Sequence, residues 1–163
     1  MKPVTAYFVS SFVLHLIWEN VQMPLFESGE APFWDTFTMC LWATATGDML
    51  FMLTLYLTVA LIHRAVWWSC DRSTYSHPAT WIVPVIIGVL LAVSFELWAV
   101  HATDRWVYSS MPIIPVIKVG LTPVLQMILI PLAATMCSLW ATKPLGEGDT
   151  HQNLKTKASR SSH

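Results

Sequence analysis

Long apolar stretches, interrupted by only a few polar residues, dominate the first 142 positions of the chain. Four such stretches lie at about residues 4–26, 36–62, 80–102 and 113–141. Each is close to or longer than the ~20 residues that a helix needs to cross a ~30 Å hydrocarbon layer. Because lipid offers no partner to backbone N–H and C=O groups, segments of this kind must be helices. The pattern predicts an all-α, polytopic bundle of four transmembrane helices, formed by one domain at residues 1–142.

Composition supports a membrane protein and argues against a nucleic-acid partner. Of the 163 residues, 55% are hydrophobic and 12% are charged, whereas about 25% charged residues is usual in soluble domains. The formal net charge is -1, and the few basic residues are scattered rather than clustered as phosphate binding requires. Residues 143–163 are polar and aperiodic, which predicts a disordered cytoplasmic tail.

The placement of basic residues predicts the orientation in the membrane. The first segment carries His15 and Glu19 late in its length, so it is expected to be an uncleaved helix and not a signal peptide. Arg105 and Lys118 lie in or near the third loop, whereas the N-terminus, the second loop and the tail hold Lys2, Arg64, Arg72, Lys143, Lys155, Lys157 and Arg160. Because cytoplasmic segments carry the excess of Lys and Arg, both termini are predicted to be cytoplasmic. The expected location is a bacterial inner membrane.

Carboxyl groups inside the apolar segments are the main functional signal. Glu19 and Glu96 both fall about 22 Å above the cytoplasmic ends of their helices, at ~1.5 Å per residue, and Asp48 falls near mid-membrane. Ionisable groups at such depths cost several kcal/mol, so they normally face the protein interior and serve a function. With His15, they make up the predicted catalytic set: Glu19, Glu96, His15 and Asp48.

Helical spacing places these residues on polar stripes. One helix face carries His15, Trp18, Glu19 and Gln22, a second carries Cys40, Thr44 and Asp48, and a third carries Lys118, Thr122 and Gln126. Three such stripes predict an internal cavity in the outer half of the bundle, opening outward. The alternative for the neutral members is interhelical hydrogen bonding at ~0.6 kcal/mol per bond. Lys118 could instead extend to the outer interface.

The third loop and its flanks supply further candidate contacts. Trp98, Trp106 and Tyr108 fit an interfacial aromatic belt. The alternative is a lid over the cavity, with Asp104 and Arg105 paired or contacting a polar head group. The complete set of predicted ligand contacts is Trp18, Gln22, Trp98, Arg105, Lys118 and Gln126.

Two kinds of cofactor site are considered, and neither is assigned. Bis-histidine haem ligation is disfavoured because His15 is near mid-membrane and His101 lies at the outer edge, ~15 Å away in depth. His15 and Glu19 at i, i+4 could chelate a metal with Asp48 or Glu96, but this spacing is common by chance. The cofactor therefore stays unknown and no metal is predicted.

Acid/base chemistry on a lipid-soluble substrate fits the residues best. A carboxyl group in a low-dielectric environment can stay protonated at neutral pH. It can then give a proton to an alkene or carbonyl, while an ionised partner or His15 removes one. The flanking Trp18 and Trp98 could stabilise a positive charge through their ring faces.

Two resemblances extend this interpretation. The elements HLIWENVQMPLF, ATGDML, FELWA, RWVYSSMP and GLTPVLQ, which lie between about residues 10 and 132, resemble a group of small bacterial four-helix integral membrane proteins. This likeness implies a fold but no mechanism. His15-Leu16-Ile17-Trp18-Glu19 and Gly47-Asp48-Met49-Leu50 are similar to elements of the EXPERA domain of sterol isomerases, in a different order and a shorter chain. That likeness implies proton transfer by membrane-buried acidic groups.

The sequence thus favours an integral membrane protein whose polar cavity binds, or performs acid/base chemistry on, an isoprenoid-like lipid. Glu19 and Glu96 would be the acid/base pair, and Arg105 or Lys118 would meet a polar head group. Two alternatives stay open: a non-catalytic accessory subunit that contacts a membrane protein partner, and ion or metal transport. The expected partners are the lipid bilayer and a lipid-like small molecule.

Overall fold

The computed structural model describes residues 2–26, 32–103 and 107–142, apart from the side chain of His101. Its α-helices are α1 (Lys2–Gln22), α2 (Phe33–Ala43), α3 (Met49–His63), α4 (Ala79–Leu97) and α5 (Leu121–Ala141). Short 3-10 turns follow α1 and occupy the α3–α4 loop, and two-residue strands β1 (Ile113–Ile114) and β2 (Val119–Gly120) precede α5. The predicted tail, residues 143–163, lies outside the described residues.

Four helical stretches of the described chain are long and apolar enough to cross a membrane. They are Lys2–Leu25, Phe33–His63, Ala79–Val100 and Leu121–Ala141, so α2 and α3 belong to one span. The prediction of a mostly helical chain with four candidate membrane spans is therefore confirmed. Its sidedness stays a prediction.

The burial pattern of α1 and α4 is the reverse of that in a water-soluble protein. In α1 the buried positions are Pro3, Tyr7, Ser11, His15 and Gln22, whereas the exposed positions include Val9, Val13, Ile17 and Val21. In α4, Thr80, Pro84, Gly88, Ala92 and Glu96 are buried at four-residue intervals, and Ile82, Ile86 and Leu90 are exposed. In lipid, helices typically contact one another through small and polar residues, while branched apolar residues cover the outer surface.

The helices form a ring in which α1 packs on α5, α5 on α4, and α4 on α3. Helices α1 and α5 run antiparallel, since Ser138 donates a hydrogen bond to the Pro3 carbonyl at one end and Gln126 meets Glu19 near the other. The second span is divided by a π-helical turn at Thr44–Asp48. Its α3 half packs on α4, whereas α2 and the π-turn pack on α1. Space is therefore left between α2 and α4 at the end of the bundle that holds the β-strands, here called the hairpin end.

A close approach between α4 and α5 depends on Gly88. A Cβ atom at this position would lie 2.8 Å from the Met127 carbonyl oxygen. That carbonyl has no helical N–H to accept from, because residue 131 is a proline inside α5. Glycine at position 88 therefore lets α4 pack against a carbonyl group that Pro131 leaves without a helical hydrogen-bond donor.

The fourth helix begins later than the sequence predicts, and this is a correction. Residues 113–120 were expected to be helical, but they form an antiparallel hairpin with Ile113 opposite Gly120 and Ile114 opposite Val119. Its turn places Lys118 at φ 54°, a left-handed conformation. Pro115 also biases the preceding residue away from helix. Within this stretch Val119 is fully buried, whereas Ile113 and Val116 are exposed.

The opposite end of the bundle is closed by an aromatic cluster around Trp68. This side chain is buried within the α3–α4 loop, and its ring lies 5.2 Å from that of Tyr56 and 5.7 Å from that of Tyr75. Its indole N–H donates to the Tyr56 carbonyl. Burial raises the pKa of Tyr75 to about 12, so this phenol stays protonated next to the Ser138 hydroxyl, 2.8 Å away.

Candidate functional site

A cavity of about 600 Å³ lies at the hairpin end between α1, α2, α4 and α5. Within the described residues, four that bear carboxyl groups line it: Glu19, Asp35, Asp48 and Glu96. Much of the remaining surface is apolar and comes from Met23, Phe26, Met39, Phe51, Phe95 and Met127. Such a mixture of apolar walls and a few convergent polar groups is typical of small-molecule sites.

Glu19 is held in the cavity wall by amide groups from two helices. Its Oε1 atom accepts a hydrogen bond from Gln22 Nε2 at 2.9 Å and another from Gln126 Nε2 at 3.1 Å. The Gln22 side-chain oxygen in turn accepts from Trp18 Nε1 at 3.2 Å. The polar face that the sequence predicts on the first helix thus forms a connected network, and Gln126 joins it to α5.

The second N–H of Gln126 extends this network to His15. Gln126 Nε2 lies 2.8 Å from His15 Nδ1. Because the amide nitrogen can only donate, Nδ1 must accept, and the neutral ring then carries its proton on Nε2. Asp48 Oδ2 lies 3.6 Å from His15 Nδ1, which is too far for a hydrogen bond. His15 is therefore positioned by Gln126 and stands beside the Asp48 carboxyl group.

Three buried polar atoms near the π-turn lack hydrogen bonds within the described part of the chain. They are His15 Nε2, Thr44 Oγ1 and Asp48 Oδ2. Buried polar groups are nearly always hydrogen-bonded, so each exception calls for a water, an ion or a ligand. Short π-helical insertions are themselves frequent at functional sites. Of these three residues, Asp48 lines the cavity, whereas His15 and Thr44 do not.

Glu96 enters the cavity from α4 and is bound by a residue of the third loop. The Tyr108 hydroxyl donates to Glu96 Oε2 and accepts from the Gly120 backbone N–H at 2.8 Å. Burial, followed by the hydrogen bond to Glu96, raises the pKa of Tyr108, so the phenol remains a donor at physiological pH. The sequence predicts that Tyr108 belongs to an aromatic belt. No sequence spacing links it to Glu96, and only the folded loop does.

The hairpin end is tied together by the backbone around Tyr108. Phe26 and Tyr108 form an isolated antiparallel β-bridge. The Ser109 N–H donates to the Leu25 carbonyl. The loop that follows α4 is therefore attached to the end of α1, next to the cavity.

The structure brings together some of the predicted site residues and not others. The cavity is lined by the predicted residues Glu19, Gln22, Asp48, Glu96 and Gln126, and His15 lies directly behind them. Trp18 and Trp98, predicted as ligand contacts, do not line the cavity: Trp18 donates a hydrogen bond to Gln22, and the Trp98 ring is tilted against that of Phe95 with centroids 5.4 Å apart. Lys118 is exposed in the hairpin turn and does not line the cavity, so its predicted helical stripe with Thr122 and Gln126 is wrong. Arg105 lies outside the described residues.

Replacing Gln126 with leucine is expected to destabilise the protein by about 1–3 kcal/mol, because Glu19 and His15 each lose a buried hydrogen bond. The check is the unfolding free energy in mild detergent. In a double-mutant cycle with Glu19→Leu, we expect a coupling energy of at least about 0.5 kcal/mol, since the two side chains are in contact. Strictly additive effects would contradict the hydrogen bond between them.

Comparisons with known proteins do not identify the chain. No family model matches it, and searches of curated proteins and of solved structures find no significant similarity. The resemblances read from the sequence therefore stay predictions. The chemistry of the cavity is the guide to function, because a fold alone does not define one.

Proposed function

We propose that this protein binds a lipid-soluble molecule in the hairpin-end cavity and performs acid/base chemistry on it. One observation carries the proposal: Glu19 and Glu96, contributed by α1 and α4, line the same mostly apolar cavity of about 600 Å³. Neutral residues would suffice for helix packing, whereas carboxyl groups in a membrane span are costly and usually functional.

The two carboxyl groups have different surroundings, which suits different roles. Glu19 accepts hydrogen bonds from two amide groups, and Glu96 is bound by the Tyr108 phenol. In the proposed reaction one carboxyl group gives a proton to the substrate while the other receives one, as general acid/base catalysis requires. His15 is connected to Glu19 through Gln126, and Asp48 lies 3.6 Å from His15.

The wall of the cavity also supports a lipid-soluble substrate. Phe26, Phe51 and Phe95 contribute ring surface, and Met23, Met39 and Met127 contribute flexible thioethers that adapt to an irregular ligand. A cavity of this volume is in the range that holds a drug-sized molecule, ~300–1,000 Å³. The proposed substrate class is therefore an isoprenoid-like lipid.

The proposal is tested by native mass spectrometry of the purified protein. We expect a discrete small ligand on the wild-type protein and its loss from Glu19→Gln/Glu96→Gln, because both acidic contacts are removed. Asp71→Asn, a change in the exposed α3–α4 loop, is the matched control and should retain the ligand. A wild-type protein that carries no ligand but co-purifies with another membrane protein would favour the accessory-subunit alternative.

We further propose that the hairpin end faces the periplasm and the α3–α4 loop faces the cytoplasm. The support is the distribution of Lys and Arg. Cys70 is exposed in that loop, whereas Cys40 is buried. A membrane-impermeant maleimide should therefore label Cys70 only after the cells are opened, with Cys70→Ser as the control. Labelling of Cys70 in intact cells would reverse the orientation.

A further inference from the structure

One side of the hairpin-end cavity is bordered by residues that are also exposed on the surface of the bundle. Met39, Ala43 and Thr46, from α2 and the π-turn, line the cavity and are exposed. Phe95 on α4 also lines the cavity, and 37% of this residue is exposed. Residues that line a cavity and also lie on the surface mark a place where the cavity meets its surroundings. These four residues define an opening between α2 and α4, here called the portal.

The portal follows from the division of the second span by the π-turn at Thr44–Asp48. Helix α3 packs on α4, whereas α2 packs on α1, so the two halves of the span contact different neighbours. Where α3 meets α4, the rings of Phe51 and Phe95 contact each other edge to face with centroids 5.7 Å apart, and both line the cavity. This ring contact bounds the portal on the side of α3.

The portal lies in a part of the surface that is expected to face lipid. Its four residues belong to the candidate membrane spans Phe33–His63 and Ala79–Val100. Thr46, the polar residue among them, donates its hydroxyl hydrogen to the Trp42 carbonyl at 2.7 Å. This donor is thus satisfied within the helix, as lipid requires. The rim of the portal is therefore suited to contact with a hydrocarbon chain.

Polar groups that can hold the polar end of a ligand lie across the cavity from the portal. Glu19 on α1 and Gln126 on α5 line the cavity and are hydrogen-bonded to each other. Because α1 packs on α5, α5 on α4 and α2 on α1, the contact between α1 and α5 lies opposite the gap between α2 and α4. A ligand whose polar end reaches Glu19 and Gln126 therefore has its chain directed toward the portal.

The size of the cavity means that a long lipid has to leave it. Its volume of about 600 Å³ is typical of sites for drug-sized ligands, ~300–1,000 Å³, and a long isoprenoid chain exceeds such a site. The portal allows the remainder of the chain to stay in lipid. Exposing that remainder to water instead would be unfavourable, in proportion to the apolar area exposed.

We propose that the cavity encloses only the polar end of a long-chain lipid and the first part of its chain, while the rest of the chain passes through the portal into the bilayer. This inference rests on the proposed function in one respect, namely that the cavity binds a lipid-soluble molecule. It adds the position of the chain, and it means that the protein does not select for total chain length.

The first test compares isoprenoid alcohols that share one polar group and differ in chain length. The protein in phosphatidylcholine nanodiscs is photolabelled with a farnesol analogue that carries a diazirine. Farnesol, geranylgeraniol and undecaprenol compete with it at equal membrane-bound concentration. We expect the three alcohols to compete within about fivefold of one another, or ~1 kcal/mol. A larger loss from farnesol to undecaprenol would indicate a site that encloses the whole ligand, and it would overturn the inference.

The second test locates the two ends of the ligand. Two geranylgeraniol analogues carry the diazirine either beside the hydroxyl group or at the far end of the chain, and labelled peptides are identified by mass spectrometry. We expect the first probe to label α1 or α5 and the second to label α2 or α4, with excess farnesol suppressing both. Labelling of α1 and α5 by both probes would mean that the chain folds back inside the cavity, contrary to the inference.

A variant at the portal separates passage of the chain from a general loss of fold. Ala43→Trp narrows the portal, so it should weaken competition by geranylgeraniol at least about fivefold and competition by the short alcohol geraniol less than about twofold. Ala45→Trp is the matched control, since Ala45 is exposed and does not line the cavity. This control should leave both alcohols unaffected. Equal losses of both alcohols in Ala43→Trp, or no loss of either, would contradict passage of the chain beside residue 43.

The outcomes distinguish this inference from the proposed function. If farnesol displaces the probe but the chain-length or end-position result is contrary, lipid binding stands and the portal is refuted. The exposed Asp35 also lines the cavity, and entry from water beside it would then be the route. If none of the alcohols displaces the probe, both the inference and the proposed function fail.

Discussion

Gly47→Phe is expected to weaken ligand binding about ten- to a hundredfold while the helices remain folded. Gly47 lines the cavity, and a Cβ atom at this position would meet nothing within 4 Å. The new side chain can therefore occupy space that the ligand needs, and the expected loss corresponds to ~1.4–2.8 kcal/mol of binding free energy. Replacing glycine within a helical turn also favours folding slightly. The measurement is photolabelling or native mass spectrometry of the ligand-bound fraction.

Ala45→Phe is the matched control for this prediction. Ala45 lies in the same π-turn but is exposed and does not line the cavity. The same added ring should therefore leave ligand binding unchanged. Unaltered binding by Gly47→Phe, or an equal loss in both variants, would show that the hairpin-end cavity is not the binding site.

Trp68→Ala is expected to cost about 3–5 kcal/mol of stability, the usual range for removing a large buried aromatic side chain. Trp68 is 1% exposed and packs against Tyr7, Tyr56 and Tyr75. Its N–H also satisfies the Tyr56 carbonyl. The loss should appear as a large fall in the unfolding free energy, measured in mild detergent by far-UV circular dichroism.

The adjacent Trp67→Ala provides the comparison, since Trp67 is 63% exposed. Its replacement should change stability by no more than about 0.5 kcal/mol, as is usual for surface positions. A similar loss in both variants would mean that the α3–α4 loop depends on tryptophan anchoring at an interface and not on the buried aromatic cluster.

The arrangement at the hairpin end links the third loop to the proposed chemistry. Tyr108 connects Glu96 to the Gly120 N–H at the start of α5, while its backbone pairs with Phe26 after α1. A change in the hydrogen bonding of Glu96, such as ligand binding would bring, therefore acts directly on the loop at the end of the cavity. Tyr108 therefore has a specific structural role beyond membrane anchoring.

The candidate spans and several interior positions could be predicted from the sequence because lipid imposes a simple rule. Apolar side chains face lipid, and polar ones must face protein. The spacing of His15, Glu19 and Gln22 on one helix face was enough to place these residues toward the interior. Asp48 followed from the same argument, and it lines the cavity.

The same rule explains why residues 113–120 were misassigned. Hydropathy reports that a segment is apolar, but it does not distinguish an apolar helix from an apolar hairpin. The hairpin satisfies its backbone through local pairing, with the Lys118 N–H donating to the Ile114 carbonyl. Proline at positions 112 and 115 was the available signal against helix. Placing Lys118 in the turn removes the basic head-group contact that was expected from it.

By itself, the sequence determined that the chain has four segments able to cross a membrane and that carboxyl groups lie within them, since both follow from local composition. Only the tertiary structure decided that Glu19, Asp48 and Glu96 share one cavity, that Gln126 joins Glu19 to His15, and that Tyr108 binds Glu96. These contacts depend on the rotation of each helix about its axis and on the position of the third loop. Both are determined by packing between segments that are distant in sequence, and the periodicity within one segment does not predict them.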